Sequence, residues 1–146
     1  MEVGVRPATD ADAGRIAQLT ASAIAEQATA RGGPVWSQRE ALATPPGESH
    51  TVVGVIDDVV MGYATVGLDV LADGGTLGIV SAIFVEPGAR EVSLGEAMLD
   101  DVIEWCAARG CVGIDAHALP GNRETKNFFE TFGFTARLLV VHRRLT

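Results

Sequence analysis

The stretch VSAIFVEPGAREVSLGEAMLDDVIEWCAAR, from Val80 to Arg109, reads as a strand, a tight turn and a helix. Val80, Ala82, Ile83, Phe84 and Val85 make an apolar run with β-branched and aromatic members, and Glu86-Pro87-Gly88 stops it as a buried strand is stopped. Ser93 with Glu96 three residues on has the spacing of a capping box. Leu94, Met98, Val102 and Trp105, with Leu99, Ile103 and Cys106, then recur at helical spacing. A helix therefore begins just beyond a strand end. Its first amides lack intrahelical acceptors and the helix dipole adds partial positive charge, a combination that suits a phosphate. Arg90 stands beside it.

Working outward, Cys111 to Ala118 reads as the next strand, and Gly121 or Asn122 caps a helix with Thr125, Phe128, Phe129 and Phe132 on one face. Phe134 to Arg144 reads as a last strand with an apolar centre and cationic ends. Toward the N-terminus, His50 to Ile56 and Val59 to Val66 form a hairpin across Asp57-Asp58, and Gly67 to Gly75 is a flexible connection. Val3 to Pro7 is a short strand. Thr9 or Asp10 caps an alanine-rich helix from about Ala11 to Ala30, with Ile16, Leu19 and Ala23 inward. Arg31-Gly32-Gly33-Pro34 ends it, Ser37 caps a second short helix through Ala43, and Thr44-Pro45-Pro46-Gly47 closes that one. The predicted order is β-α-α-β-β-β-α-β-α-β, an α/β (α+β) chain. Val80 to Ala118 forms a right-handed parallel crossover and the hairpin is antiparallel, so the sheet is mixed.

With 146 residues the chain is the size of a single domain, and 47% hydrophobic against 21% charged residues marks it as globular. Its net charge of −8 argues against nucleic acid as the main partner. Cys106 falls on the apolar side of the central helix and Cys111 starts a strand, so they read as small buried residues. No zinc pattern or other metal site is predicted. No apolar run approaches a membrane span and the N-terminus lacks a basic-then-apolar leader, so a cytoplasmic location without membrane attachment is the expectation.

The run Val85-x-Pro87-x-x-Arg90-x-x-Ser93-x-Gly95-x-x-Met98 resembles motif A of the GCN5-related N-acetyltransferase (GNAT) superfamily, in which Arg90 and Gly95 match and Ser93 replaces a glycine. Asn122-x-x-Thr125-x-x-Phe128-Phe129-x-x-x-Gly133-Phe134 resembles its motif B, with Thr125 and Phe129 departing. Two motifs in the family's order are far more specific than one. The resemblance implies a single, mostly antiparallel sheet over 1–146 whose parallel central strands splay apart to admit the pantetheine arm of acetyl-CoA or another acyl-CoA. It also implies direct acyl transfer to an amine-bearing acceptor, with a non-catalytic acyl-CoA-binding domain as the alternative.

In that reading Ile83, Phe84 and Val85 line the pantetheine, with main-chain bonds from Ile83 and Val85. The pyrophosphate lies against the amides of Glu91, Val92, Ser93, Leu94, Gly95 and Glu96, with charge from Arg90. Asn122, Thr125 and Phe129 approach the cofactor from the other helix. Ser93 either costs the loop freedom where φ > 0 is needed or donates its hydroxyl to a phosphate; the sequence leaves both open. Phe129 stands where many relatives have a tyrosine that protonates the leaving thiolate. His117 is the leading candidate base, with Glu86, Ser81 and Asp115 behind it, and a structural histidine is the competing reading. Trp36 either walls the acceptor pocket or packs on the sheet. The last strand sits between neighbours or pairs with another subunit, which makes a homodimer one expectation.

Overall fold

The computed structural model describes residues 1–45 and 47–146, so the Pro46 part of the predicted Thr44–Gly47 turn lies outside the described residues. Strand β1 (Val3–Pro7) is followed by helices α1 (Ala13–Glu26) and α2 (Gly33–Gln38), then strands β2 (Ser49–Ile56), β3 (Val59–Val70) and β4 (Thr76–Val85). Helix α3 (Leu94–Ala108), strand β5 (Gly113–Ala116) and helix α4 (Arg123–Thr131) complete the regular structure. The five strands lie in chain order in one sheet, with β1 to β4 antiparallel and β4–β5 parallel. Fold class and element order therefore match the sequence reading up to the last strand.

Residues 134–146 form no strand, and Leu138 to Val141 stand exposed, because their run finds no strand partner among the described residues. Other differences are smaller. Helix α1 stops at Glu26 instead of about Ala30, and Pro34 opens α2 at its first turn instead of ending α1, where its missing N–H costs nothing. Ser37 lies inside α2 and donates to the Pro34 carbonyl at 2.8 Å. Strand β3 continues to Val70, taking up the first part of the predicted connection. Ser93 makes no side-chain cap bond to α3, since its left-handed backbone (φ 60°, ψ 23°) departs from the extended conformation that a capping side chain needs. The hairpin turn holds: Asp57 and Asp58 take φ 49° and 66°, the twist that a two-residue connection demands even without glycine.

The sheet buries both faces. On one, α3 lays Met98, Leu99, Val102 and Cys106 against Val52, Ala64, Val66 and Val80; on the other, Leu19 of α1 meets Val53, Tyr63 and Phe84. The alternation of Val52 with Val53 is the period-two pattern of a strand covered on both sides. Trp105, one of the apolar positions at helical spacing, is only half-buried; it stacks on His50 at 5.5 Å and carries the Arg109 guanidinium 3.9 Å from its ring. Burial pushes the Cys106 thiol up to about 12. Gly54 matters to the site, because a Cβ there would lie 2.6 Å from buried Leu94, so its bareness lets the start of α3 sit directly on the sheet.

Candidate active site

One residue in β4 breaks the regular ladder. Thr65 pairs with Ala82 and Val66 with Val80, so Ser81 is left over as a bulge, its hydroxyl 3.3 Å from the Thr65 carbonyl. The parallel pairing with β5 runs from Leu77↔Gly113 to Val80↔Ala116 and stops at that point. Past it the two strands diverge. Glu86 donates its N–H to the Met61 carbonyl of β3 at 2.8 Å, and hydrogen-bonding direction alternates along a strand. Ile83 and Val85 therefore turn their main-chain groups away from β3, toward the gap. The Val85 carbonyl confirms the direction by accepting from Arg90 Nε at 2.9 Å.

The gap is a cleft of about 310 Å³, walled by Val80 to Val85, by His117, Ala118 and Leu119 just past β5, and by Asn122, Glu124, Thr125, Phe128 and Phe129 of α4 and its cap. Ala23, Glu26, Gln27 and Trp36 close the side nearest α1 and α2, and Arg90, Gly95 and Glu96 stand at the start of α3. Ala97 is the first α3 residue to donate within the main chain, to Ser93 at 3.2 Å. Among the described residues, none of the amides of Glu91 to Glu96 makes a main-chain hydrogen bond of good geometry, the turn over 90–93 being only loosely closed. Asn122 caps α4, accepting from the Thr125 N–H at 3.1 Å, which leaves its amide nitrogen for other partners.

The structure brings together most of the residues singled out in the sequence. Ser81, Ile83, Phe84, Val85, Arg90, Gly95, Glu96, His117, Asn122, Thr125 and Phe129 all line the cleft. Glu91, Val92, Ser93 and Leu94 do not line it with side chains; Leu94 is fully buried under Gly54, so only its amide is on offer. Glu86 lies outside, 3.5 Å from Arg15. Asp115 lies outside as well, held by Arg137 well below the usual carboxylate range. Arg90 lines the cleft but is turned back from the open amides, with one nitrogen 2.8 Å from Glu26 and its guanidinium 5.2 Å from the Phe84 ring.

Glu26 and Glu124 had no signal as lining residues, whereas Phe128 shares a face and a motif with Thr125 and Phe129. Glu26 reaches the cleft only because the end of α1 crosses the loop before α3, a contact between residues 64 apart in sequence. The cleft and the unsatisfied amides fit a long thioester ending in a diphosphate. There are edge N–H and C=O groups for an amide-bearing arm and a nest of N–H groups for phosphate oxygens.

The acetyltransferase (GNAT) family matches residues 17–134. The chain belongs to that family. Solved structures share its fold. A tetramutant protein from Bacillus halodurans superposes with a TM-score of 0.81 at 17% identity, covering 97% of this chain and 99% of that one. Glucosamine-6-phosphate N-acetyltransferase from Arabidopsis thaliana gives 0.71 at 15%, covering 100% of each chain. The aminoglycoside N-acetyltransferase AAC(6')-Iy, solved in complex with CoA, gives 0.72 at 16%, covering 99% of this chain and 95% of that one. At these identities the likeness is one of fold. No curated protein matches the sequence. Among the described residues of this GNAT chain, no helix is long and apolar enough to cross a membrane.

Proposed function

We propose that this GNAT protein moves an acetyl or other acyl group from its coenzyme A thioester directly to a primary amine, on a small molecule or on a protein N-terminus or lysine. The observation that supports it is the end of β4–β5 pairing at Val80↔Ala116, which leaves a slot opening onto the free amides before α3. A thioester arm in that slot meets the edge groups of Ile83 and the Val85 N–H, and its diphosphate meets the amides of Glu91 to Glu96. Arg90 stands close enough to exchange Glu26 for a phosphate oxygen.

Transfer forms a C–N bond to the amine and breaks the C–S bond, so a proton must leave the nitrogen and a thiolate must depart. His117, at the lip of the cleft, is the group placed to take that proton, directly or through a water. An edge N–H of β4 donates to the oxygen that becomes negative in the tetrahedral intermediate. Phe129 has no proton to give, and a thiol of pKa roughly 8–9 leaves without one. The carboxylates of Glu26 and Glu124 suit a cationic acceptor, and Trp36 walls its side.

A second reading, an acyl-CoA-binding domain without turnover, is favoured by Phe129, whose buried ring lines the cleft at the position where the family resemblance implies a proton-donating tyrosine. Calorimetry with acetyl-CoA comes first, since an absence of heat overturns both readings. Thiol release is then followed against amines, polyamines, aminoglycosides and peptide N-termini; release with any of them selects the enzyme, and heat without release selects the binder. His117→Ala is expected to slow turnover roughly 10²–10⁴-fold and to remove the rising, acidic limb of the pH profile, which reports loss of the proton from the base. An unchanged rate and profile would remove the base assignment.

A further inference from the structure

Charge is out of balance in the cleft. Among the residues that line it Arg90 is the one lysine or arginine, against the carboxylates of Glu26, Glu96 and Glu124. Arg90 is already committed to one of them. Its Nη2 lies 2.8 Å from Glu26 Oε2, its Nε donates to the Val85 carbonyl at 2.9 Å, and its guanidinium lies 5.2 Å from the centre of the Phe84 ring. Glu26 has a particular need of that partner. It is the last residue of α1, where the helix dipole is negative, and the last turn of α1 contains no basic residue of its own. With Ala23, Gln27 and Trp36 it closes the side of the cleft nearest α1 and α2.

The pair is poised for exchange. Its side chains keep 34% (Arg90) and 37% (Glu26) of their surface open, and an ion pair that exposed holds only weakly. The acyl transfer proposed above brings a diphosphate, with one negative charge on each phosphate, to the amides before α3 and to the same guanidinium. A single positive charge then faces both phosphates and the Glu26 carboxylate, so Glu26 loses its neutralisation as the donor is seated. We propose that Glu26 is a cation site for the acceptor, masked by Arg90 until the diphosphate draws the guanidinium away, and that the preferred acceptors are amines with a second ammonium group. The inference rests on the acyl-transfer reading. The nitrogen that attacks gives up its proton and is neutral when it reacts, so the charge that Glu26 needs comes from elsewhere on the acceptor. Binding is then ordered by charge. An acceptor cation finds Glu26 covered in the empty protein and open once the coenzyme is bound, and by linkage the two ligands tighten each other by the same factor.

Calorimetry with coenzyme A itself fills the donor site without turnover. 1,3-Diaminopropane, 1,4-diaminobutane, 1,6-diaminohexane and spermidine are titrated with and without saturating coenzyme A, each diamine beside the monoamine of equal length. At least one of these polycations is expected to bind roughly three- to fivefold more tightly when coenzyme A is present, the size of a partly exposed ion pair, and the monoamines to change by less than about twofold. Two variants move affinities in opposite directions, which a merely structural role would not do. Glu26→Gln is expected to bind coenzyme A roughly three- to fivefold more tightly, because Arg90 is released to the phosphates, and to lose the preference for a second cation. Arg90→Gln is expected to weaken coenzyme A, and to bind the polycation without coenzyme as tightly as the parent does with it. Far-UV circular dichroism checks that both variants fold, and the titrations on the parent protein do not depend on them. No heat with coenzyme A removes the acyl-transfer reading and this inference with it. Heat with coenzyme A, but no polycation that gains from its presence, overturns the Glu26 site alone. So does a folded Glu26→Gln variant that keeps the parent's affinity for coenzyme A or its preference for a second cation.

Discussion

Ser93→Gly is the most informative single change, because Ser93 combines a strained backbone with a place in the phosphate turn. At φ 60° and ψ 23° it sits in the left-handed region, and its side chain makes no cap bond. An L-residue there costs roughly 1–2 kcal/mol. Glycine removes that cost but adds roughly 0.4–1 kcal/mol of freedom to the unfolded chain. The net is a gain of about 0.5–1 kcal/mol, or a rise in Tm of roughly 1.5–3 °C for a chain of this size. Differential scanning fluorimetry without ligand reads it, and an unchanged or lower Tm would refute the strain reasoning. Calorimetry with acetyl-CoA then separates the two roles open to the residue. If the hydroxyl donates to a phosphate oxygen, its loss costs about 1.5–3 kcal/mol, roughly a ten- to hundredfold weaker Kd. If only the amide is used, Kd stays within about twofold of the parent.

Gly54→Ala places a methyl 2.6–2.9 Å from three carbons of buried Leu94. That overpacking is expected to cost about 1–3 kcal/mol, read as a lower midpoint in urea, and a neutral outcome would mean that α3 lifts off the sheet freely. Asp12 accepts from Arg6 at 2.8 and 3.0 Å and from the Thr9 N–H at 2.8 Å, with Arg6 the larger cause of a carboxyl held well below the usual range. A depressed folded pKa stabilises above the unfolded value near 3.9, and that contribution disappears as pH falls through the folded value. The stability gap between the parent and Asp12→Asn is therefore expected to be full at pH 7 and to shrink below about pH 4. A gap that does not change with pH would show that the ion pair is not its source.

What the sequence revealed was whatever its local chemistry determines. The apolar run into Glu86-Pro87-Gly88, the helical spacing from Leu94 to Cys106 and the two aspartates of the hairpin each fix a backbone within a few residues, and each is found in place. The cleft residues were legible because both motifs lie where a strand end meets a helix start. What escaped depends on distant partners. Ser93 and Glu96 have a capping pattern, yet the loop's left-handed turn overrides it. Leu138 to Val141 look like a strand, but a strand exists only through its neighbour, and no sequence pattern says whether that neighbour is in the same chain. Glu26 entered the site through a contact with Arg90 that no local rule encodes.

The bulge at Ser81 is the least conspicuous feature of the chain and the one on which the slot depends. Val80 packs on the α3 side of the sheet and Ala82 on the α1 side, which are already the opposite faces that two adjacent residues of a regular strand would take. Deleting Ser81 would therefore join Val80↔Val66 directly to Ala82↔Thr65 without turning any core side chain to the wrong face. The folded state is expected to survive with a change of only about 1 kcal/mol. The straightened β4 would let parallel pairing run on past Ala116 and occupy the edge groups of Ile83 and Val85. Acetyl-CoA binding is then expected to fall by more than about tenfold, the equivalent of 1.4 kcal/mol. Ser81→Ala, which keeps the extra residue and loses only the hydroxyl, is expected to bind like the parent. Calorimetry on both variants, with far-UV circular dichroism as the folding control, separates chain length from side chain. A folded deletion variant that binds acetyl-CoA as tightly as the parent would mean that the strands part for some reason other than the bulge.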